Sequence, residues 1–560
     1  MSNVTQAGDI AAQTRVESSA STSSQSHTDP ITQNSKLKTQ NSALSPGRHI
    51  TIAALGIFLA ALDQTVIVTA LWPISTDLQI PVTQLDRAAW VVTAYLLGYT
   101  VALPLMGRVA DVYGQRRIYL VSLGLFMLGS MLCALAPSLE FLIAARALQA
   151  IGGGAVLPVG MAMVRHLFKE QRVPFMLGVL GAVAEAGGVI GPLWGALVMK
   201  GFDGWFGVIG WRWIFWVNVP LCLLFGSLML RTPALPRFPG KVDWVGAGLL
   251  GMALLTLSLG LSTPGTIGAW AGLTPQTNGG GASGDLITPQ SLVLFGLSAL
   301  LFVGFVLWQR RASTPLIPLE LFSRRNWPFS AANITNFMVG AALIITMVNV
   351  PLYVASVLDG TAEQGGFMLL RMTALIPVGA IAGGLLGVRV QFRWVAMLGL
   401  VVTATGFWEM SNWSLAAPDA PLNWVGLALN GLGFGLLVSP VTATALQWGG
   451  LKRAALSAAS VNLSRMVGMM VSLSVLTVLG LRHFQELMSS HPAPIVPFPN
   501  ETTEQFAQRS LDYTVAYKSA SLEVYTGGFT IALMLCIVGI LSAMWLHRNP
   551  HSEVETGPIF

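Results

Sequence analysis

Apolar runs separated by short polar links fill the chain from residue 49 to residue 546. A hydrocarbon layer about 30 Å thick needs about 20 apolar residues of helix, and the runs meet that length repeatedly. They predict an all-α membrane protein with fourteen crossing helices. These fall at 49–72, 88–107, 117–136, 139–161, 172–199, 213–231, 243–262, 290–308, 328–356, 365–388, 394–411, 422–447, 455–481 and 521–546. Alternating segments of about ten residues, the mark of a membrane barrel, do not occur. Residues 1–48 are rich in Ser, Thr and Gln and predict a disordered tail. The first apolar run is too long for the core of a cleaved signal peptide. Two outer loops have length: 263–289, rich in Gly and Thr, and 482–520, which holds Pro492, Pro494, Pro497 and Pro499. Both predict surface connections with little order.

Charge then gives the sidedness. With the N-terminus inside, the cytoplasmic links hold seventeen Lys and Arg, among them Arg108, Arg116, Arg117, Arg165, Lys169, Arg231, Arg310, Arg389 and Arg453. The outer links hold Arg87, Lys200, Arg212, Arg482, Arg509 and Lys518. This alternation follows the positive-inside rule, and an even helix count places both termini, including the 547–560 tail, in the cytoplasm. The formal net charge of +6 is scattered between apolar runs and forms no nucleic-acid patch. Only 10% of residues are charged, whereas a soluble domain carries about 25%. Cys133, Cys222 and Cys536 fall in separate apolar runs, with no disulfide or metal spacing. A phosphate-binding Gly-x-x-x-x-Gly-Lys-Ser/Thr segment is missing and the histidines are dispersed. No enzyme activity, cofactor or metal is expected.

The chemistry concentrates in three places. Gly107, Asp111, Gly114, Arg116 and Arg117 crowd the link after the second helix, where charge can pin one helix end to another. In the fifth helix Gly181, Ala184, Gly188, Gly191 and Gly195 recur at spacings of 3 and 4, a small-residue face that admits a close neighbour. Pro192 in that face favours a bend. Asp63, Arg146, Glu185 and Arg465 lie deep inside predicted helices. Each costs at least ~2.5–3.5 kcal/mol at a helix centre, so each is expected to face protein or a water-filled path. Asp63 and Glu185 are the acids near mid-helix, where burial equips a carboxylate to exchange a proton and a nearby Arg146 opposes the shift. The plainer alternatives are a positive-inside loop, ordinary helix packing and hydrogen-bonded structural acids.

The Gly107–Arg117 segment resembles motif A of the major facilitator superfamily, although Val112 and Gln115 stand where basic residues are usual. Leu62-Asp63-Gln-Thr-Val-Ile-Val-Thr-Ala-Leu-Trp-Pro73 resembles the first-helix motif of its fourteen-helix drug/proton antiporters. Arg146 to Gly152 is similar to motif B, and Gly181 to Gly195 to the antiporter motif C. Trp211 to Pro220 and Asp243-Trp-Val-Gly246 also resemble that family, and Gly387 to Arg393 looks like a worn second copy of motif A. Glu185 replaces a small or apolar residue, and Arg371 stands where proline is frequent.

The resemblance implies two six-helix bundles, 49–231 and 328–546, with two linking helices in 232–327. It also implies export of small, amphipathic or cationic compounds driven by inward proton flow, by alternating access in a cell membrane. Asp63, Arg146, Glu185 and Arg465 become the proton or substrate path, and Gly107, Asp111, Gly114, Arg116, Arg117, Gly188, Gly191, Pro192 and Gly195 the gating set. Expected partners are the substrate, protons and the lipid bilayer; accessory export-channel proteins stay open. A same-fold transporter of a metabolite, siderophore or lipid is the first alternative. A symporter and a non-transporting receptor or membrane enzyme follow.

Overall fold

Residues 46–79, 85–233, 235, 240–261, 289–360, 362–415, 422–491 and 502–547 are described by the computed structural model, and the regular elements among them are all helical. The tail before residue 46, the 262–288 part of the first outer loop and residues 548–560 lie outside the described residues.

The first half runs α1 (Pro46–Asp77), α2 (Leu85–Tyr113), α3 (Gln115–Ala134), α4 (Leu139–Leu167), α5 (Val173–Phe202), α6 (Gly210–Trp216) and α7 (Asn218–Leu230). A pair follows, α8 (Trp244–Leu261) and α9 (Pro289–Arg311). The second half is α10 (Trp327–Ser356), α11 (Ala362–Thr373), α12 (Ile376–Arg389), α13 (Phe392–Met410), α14 (Leu422–Gly449), α15 (Ala454–Met488) and α16 (Thr503–Ala543). Local chemistry sets several ends. Ser138 caps α4 by accepting the N–H of Phe141, and Thr502 with Gln505 forms a reciprocal capping box on α16.

Small residues decide which helices meet. In the first half α1 packs on α5, and α2 and α3 both pack on α4. In the second half α10 packs on α15, and α12 and α13 both pack on α14. The same pairing scheme thus occurs twice. The halves meet through α2 against α15 and α5 against α12, which are equivalent places in the two schemes. Glycines let these backbones touch: Gly107 of α2 faces the carbonyl of Ala455, and Gly178 of α5 faces Gly384 of α12.

Several expectations need correction. Twelve helical segments among the described residues are long and apolar enough to cross a membrane, so the expected fourteen are not reached on that measure. Of the remaining two, α8 is apolar only over Trp244–Gly260, and α13 is not among the twelve. Among the described residues of the expected outer loop 482–520 most are helical, because α15 continues to Met488 and α16 begins at Thr503, while Pro492, Pro494, Pro497 and Pro499 lie outside the described residues. Its polar composition reads as loop, yet α15 and α16 support each other beyond the apolar stretch through the Phe484–Tyr517 ring contact. The motif A segment is a helix end rather than a loop: α2 runs to Tyr113, and the whole reversal is made at Gly114, whose φ of 98° favours glycine. The expected helices at 213–231 and 365–388 each divide in two, at Val217 and at Ala374–Leu375.

Candidate functional site

Asp63 and Arg146 form a salt bridge at 2.7 Å, and both side chains are fully buried. Arg146 and Gln149 lie one turn apart on α4 and therefore share a face. Arg146 Nη1 also donates to Gln149 Oε1 at 2.7 Å. Gln149 Nε2 donates to Asp63 Oδ1 at 3.0 Å and to Ser130 Oγ at 2.6 Å. Asn218 Nδ2 adds a bond to Asp63 Oδ1 at 2.8 Å. The Arg146 guanidinium stacks over Tyr95, 4.2 Å from the ring centre. The carboxylate is thus matched by one cation and two amides, drawn from α4 and α7. Such a desolvated network, in which both Asp63 oxygens are bonded while Arg146 Nε and Nη2 stay buried without a partner, holds its helices together. The sequence placed Asp63 and Arg146 together; Gln149 and Asn218 lay inside the motif-like segments without a role of their own, and Ser130 sits in an apolar run without a signal.

Glu185 and Arg465 meet across the two halves. Arg465 Nη1 of α15 donates to Glu185 Oε1 of α5 at 2.9 Å, and each side chain retains about a fifth of its exposure. The pair lines a pocket between the halves, together with Asn336, Thr442 and Asn462 and an apolar wall that includes Leu157, Met161, Leu343 and Phe434. Arg465 is fixed by close approach of α10 and α15: the backbone of Gly340 lies against Arg465, and that of Gly468 against Phe337. Ser460 and Ser464 both donate to Asn333 Oδ1, at 2.8 and 2.9 Å, and Asn336 donates to the Val461 carbonyl at 2.7 Å. Sequence reasoning named both charges but not their pairing, because residues 280 positions apart share no local signal.

The basic ends of the helices close on one another. Asp111 is buried, and its two oxygens accept the backbone N–H groups of Ala455 and Leu456 at 2.9 and 3.0 Å. An acid from the first half thereby caps the first turn of α15 in the second, where free N–H groups and the helix dipole favour it. Arg116 donates to the Leu230 carbonyl at the end of α7, while Arg117 is exposed. Two further contacts cross between the halves here. Gln447 Nε2 donates to Glu170 at 2.8 Å, with Arg165 paired to the same carboxylate. Ser439 Oγ donates to the Pro174 carbonyl at 2.6 Å.

The glycine face of α5 divides. Gly181 abuts Val438 of the second half, whereas Gly187, Gly191 and Gly195 abut α1 of their own half. Pro192 lacks the N–H that would bond the Gly188 carbonyl. The Thr65 hydroxyl donates to that carbonyl instead, at 2.9 Å, and α5 runs unbroken through the proline. Of the residues expected to gate, Gly188, Gly191 and Gly195 are therefore brought against α1, away from the contacts between halves. Among the described residues no cluster of His, Cys, Asp and Glu is arranged to hold a metal ion.

Comparison with known proteins agrees with this arrangement. Residues 53–473 match the Major Facilitator Superfamily. A Mycolicibacterium hassiacum protein named a triacylglyceride transporter is 33% identical over 527 residues, covering 91% of this chain and 94% of its own. Another so named, from Mycobacterium tuberculosis, is 32% identical over 524 residues, covering 90% and 96%. Among solved structures, the proton:xylose symporter XylE matches with a TM-score of 0.55 at 12% identity, over 87% of this chain and 94% of that one. The human organic anion transporter MFSD10 matches at 0.52 and 14% identity, over 89% and 100%. Identities that low carry the fold alone. From its sequence match and its twice-repeated helix pairing, the chain belongs to the Major Facilitator Superfamily and is a multi-pass membrane transporter.

Proposed function

We propose that the chain moves a neutral, acylglycerol-like lipid by alternating access, coupled to protons. The observation that carries this reading is the Glu185–Arg465 pair in the pocket between the halves. Because Arg465 already balances Glu185, the pocket offers a cationic drug no uncompensated carboxylate. A mainly apolar, electrically balanced site suits an uncharged, apolar substrate. The names of the relatives that match over nine-tenths of the chain favour the same class. The drug-export expectation therefore yields to its lipid alternative.

Glu185 is the coupling acid in this scheme. Protonation removes the attraction to Arg465 and lets the halves part; release of the proton draws them together. Asp63, sealed and saturated, supports the first half. The basic ends are cytoplasmic, both termini lie there, and fourteen helices cross the membrane. In that count α8 and α13 join the twelve, since α13 lies against the crossing helices α14 and α16, and α8 against α2 and α9. Residues 49–231 and 328–546 are the two moving bundles.

The test is reconstitution into proteoliposomes under an imposed pH gradient. Labelled triacylglycerol in the vesicle membrane is expected to become extractable by external acceptor vesicles, and Glu185→Gln to remove the response to the gradient. Movement of a cationic dye without movement of triacylglycerol would return the reading to drug export.

A further inference from the structure

The Asp243-Trp-Val-Gly246 segment takes no part in the pocket or in the ion pairs. Asp243 is buried at the start of α8, and three donors converge on its carboxylate. The Gly246 backbone N–H reaches Oδ1 at 2.8 Å, the Trp308 indole N–H reaches the same oxygen at 3.0 Å, and Gln309 Nε2 reaches Oδ2 at 2.9 Å. Trp308 and Gln309 belong to the last turn of α9, so one charged group ties the start of α8 to the end of α9 by charge-assisted bonds. Gly246 is needed there, because a Cβ would fall on the carboxylate and on the Gln309 amide.

Gln309 carries the link onward. Its Oε1 accepts the N–H of Ile317 at 3.3 Å. Leu316 and Ile317 share one buried cluster with Leu456 of α15, Leu250 and Leu254 of α8 and Phe305 of α9. Leu456 is the residue whose backbone N–H donates to Asp111. On its other flank α8 packs on α2, with Val101 against Gly251. The pair therefore touches both α2 and α15, the helices that Asp111 joins.

We propose that Asp243 is a positioning residue for the closed basic end, holding α8 and α9 as a strap across α2 and α15. Opening that end pulls Leu456 off the shelf made by Leu316 and Ile317, so the strap biases the transporter toward closure. The inference rests on the alternating-access reading and is independent of the substrate.

The reporter is a cysteine at Ser439, which belongs to the α5–α14 contact and not to the strap. In a full-length chain with Cys133, Cys222 and Cys536 replaced by alanine, Ser439→Cys is exposed to a membrane-impermeant maleimide from the basic side. Asp243→Asn and Ile317→Ala are each expected to raise its labelling rate about fivefold, the effect of a modest loss of closure energy. Asp111→Asn serves as the comparison. A chain that keeps only the buried Cys133, inside the first half, is expected to stay unlabelled in the Asp243→Asn background. Labelling that rises with Asp111→Asn but not with the other two overturns the strap and leaves alternating access standing. Labelling unmoved by all three overturns both. Labelling of Cys133 together with Ser439→Cys shows general loosening and also overturns the strap. If Asp243→Asn fails to insert, Ile317→Ala decides, since it keeps the carboxylate and its three donors.

Discussion

Asp63 and Glu185, both deep inside helices, have different surroundings. Asp63 accepts from Arg146, Gln149 and Asn218 and is cut off from water. Glu185 pairs with Arg465 and has a pocket beside it. Removing one member of a buried pair leaves the other charged and unmatched, which costs about 3–5 kcal/mol. Asp63→Ala is accordingly expected to lower stability by that order, measured by denaturant unfolding in detergent, while Glu185→Gln leaves stability nearly unchanged. Equal stability of Asp63→Ala and the parent would show that the sealed network is not structural. The sequence exposed both acids, since any charge in an apolar run stands out. It could not rank them: depth is visible along one helix, but solvation depends on what the other helices bring.

At the scale of elements, close approach decides the packing, and the partner of each glycine matters more than its spacing. The periodicity of Gly181, Gly188, Gly191 and Gly195 correctly announces a small-residue face, but a helix has neighbours on more than one side. Gly178 and Gly181 meet the second half, and Gly191 meets the Leu62 carbonyl of α1. A large residue at the two places is expected to fail differently. Gly191→Leu pushes α1 from α5 and frees the Gly188 carbonyl that Thr65 satisfies, so the yield of folded protein in size-exclusion chromatography should fall. Gly178→Leu wedges α5 from α12, so the protein should insert and fold normally while transport is lost. Equal behaviour of the two variants would contradict the division of the face. The replacement of a backbone donor by Thr65 was illegible for a similar reason: Pro192 announces a missing N–H, but the hydroxyl that compensates is 127 positions away. The helical continuation of 482–488 and 503–520 ran against local composition, because polar residues on mutually supporting helices look like loop residues.

For the whole molecule, the alternation of Lys and Arg is the most informative signal in the sequence, and the contacts between helix ends agree with it. Arg116 reaches the end of α7, Glu170 reaches α14, and Asp111 reaches α15, so segments grouped by charge also meet in space. The two helices that length and composition leave undecided are open to direct measurement. Reporter fusions after Gly240 and after Gln391 are expected on the cytoplasmic side, and fusions after Thr277 and after Pro499 outside. A fusion after Thr277 that reports the same side as one after Gly240 would remove α8 from the count. The neutrality of the Glu185–Arg465 pair has one more consequence, and it is electrical. A cycle that takes in a proton on one side, releases it on the other and carries an uncharged lipid the opposite way displaces one net positive charge each turn. The membrane voltage then contributes about 2.3 kcal/mol per 100 mV for each charge moved. A potassium diffusion potential set with valinomycin, at equal pH on both sides, should by itself sustain lipid movement and reverse it when the potential is reversed.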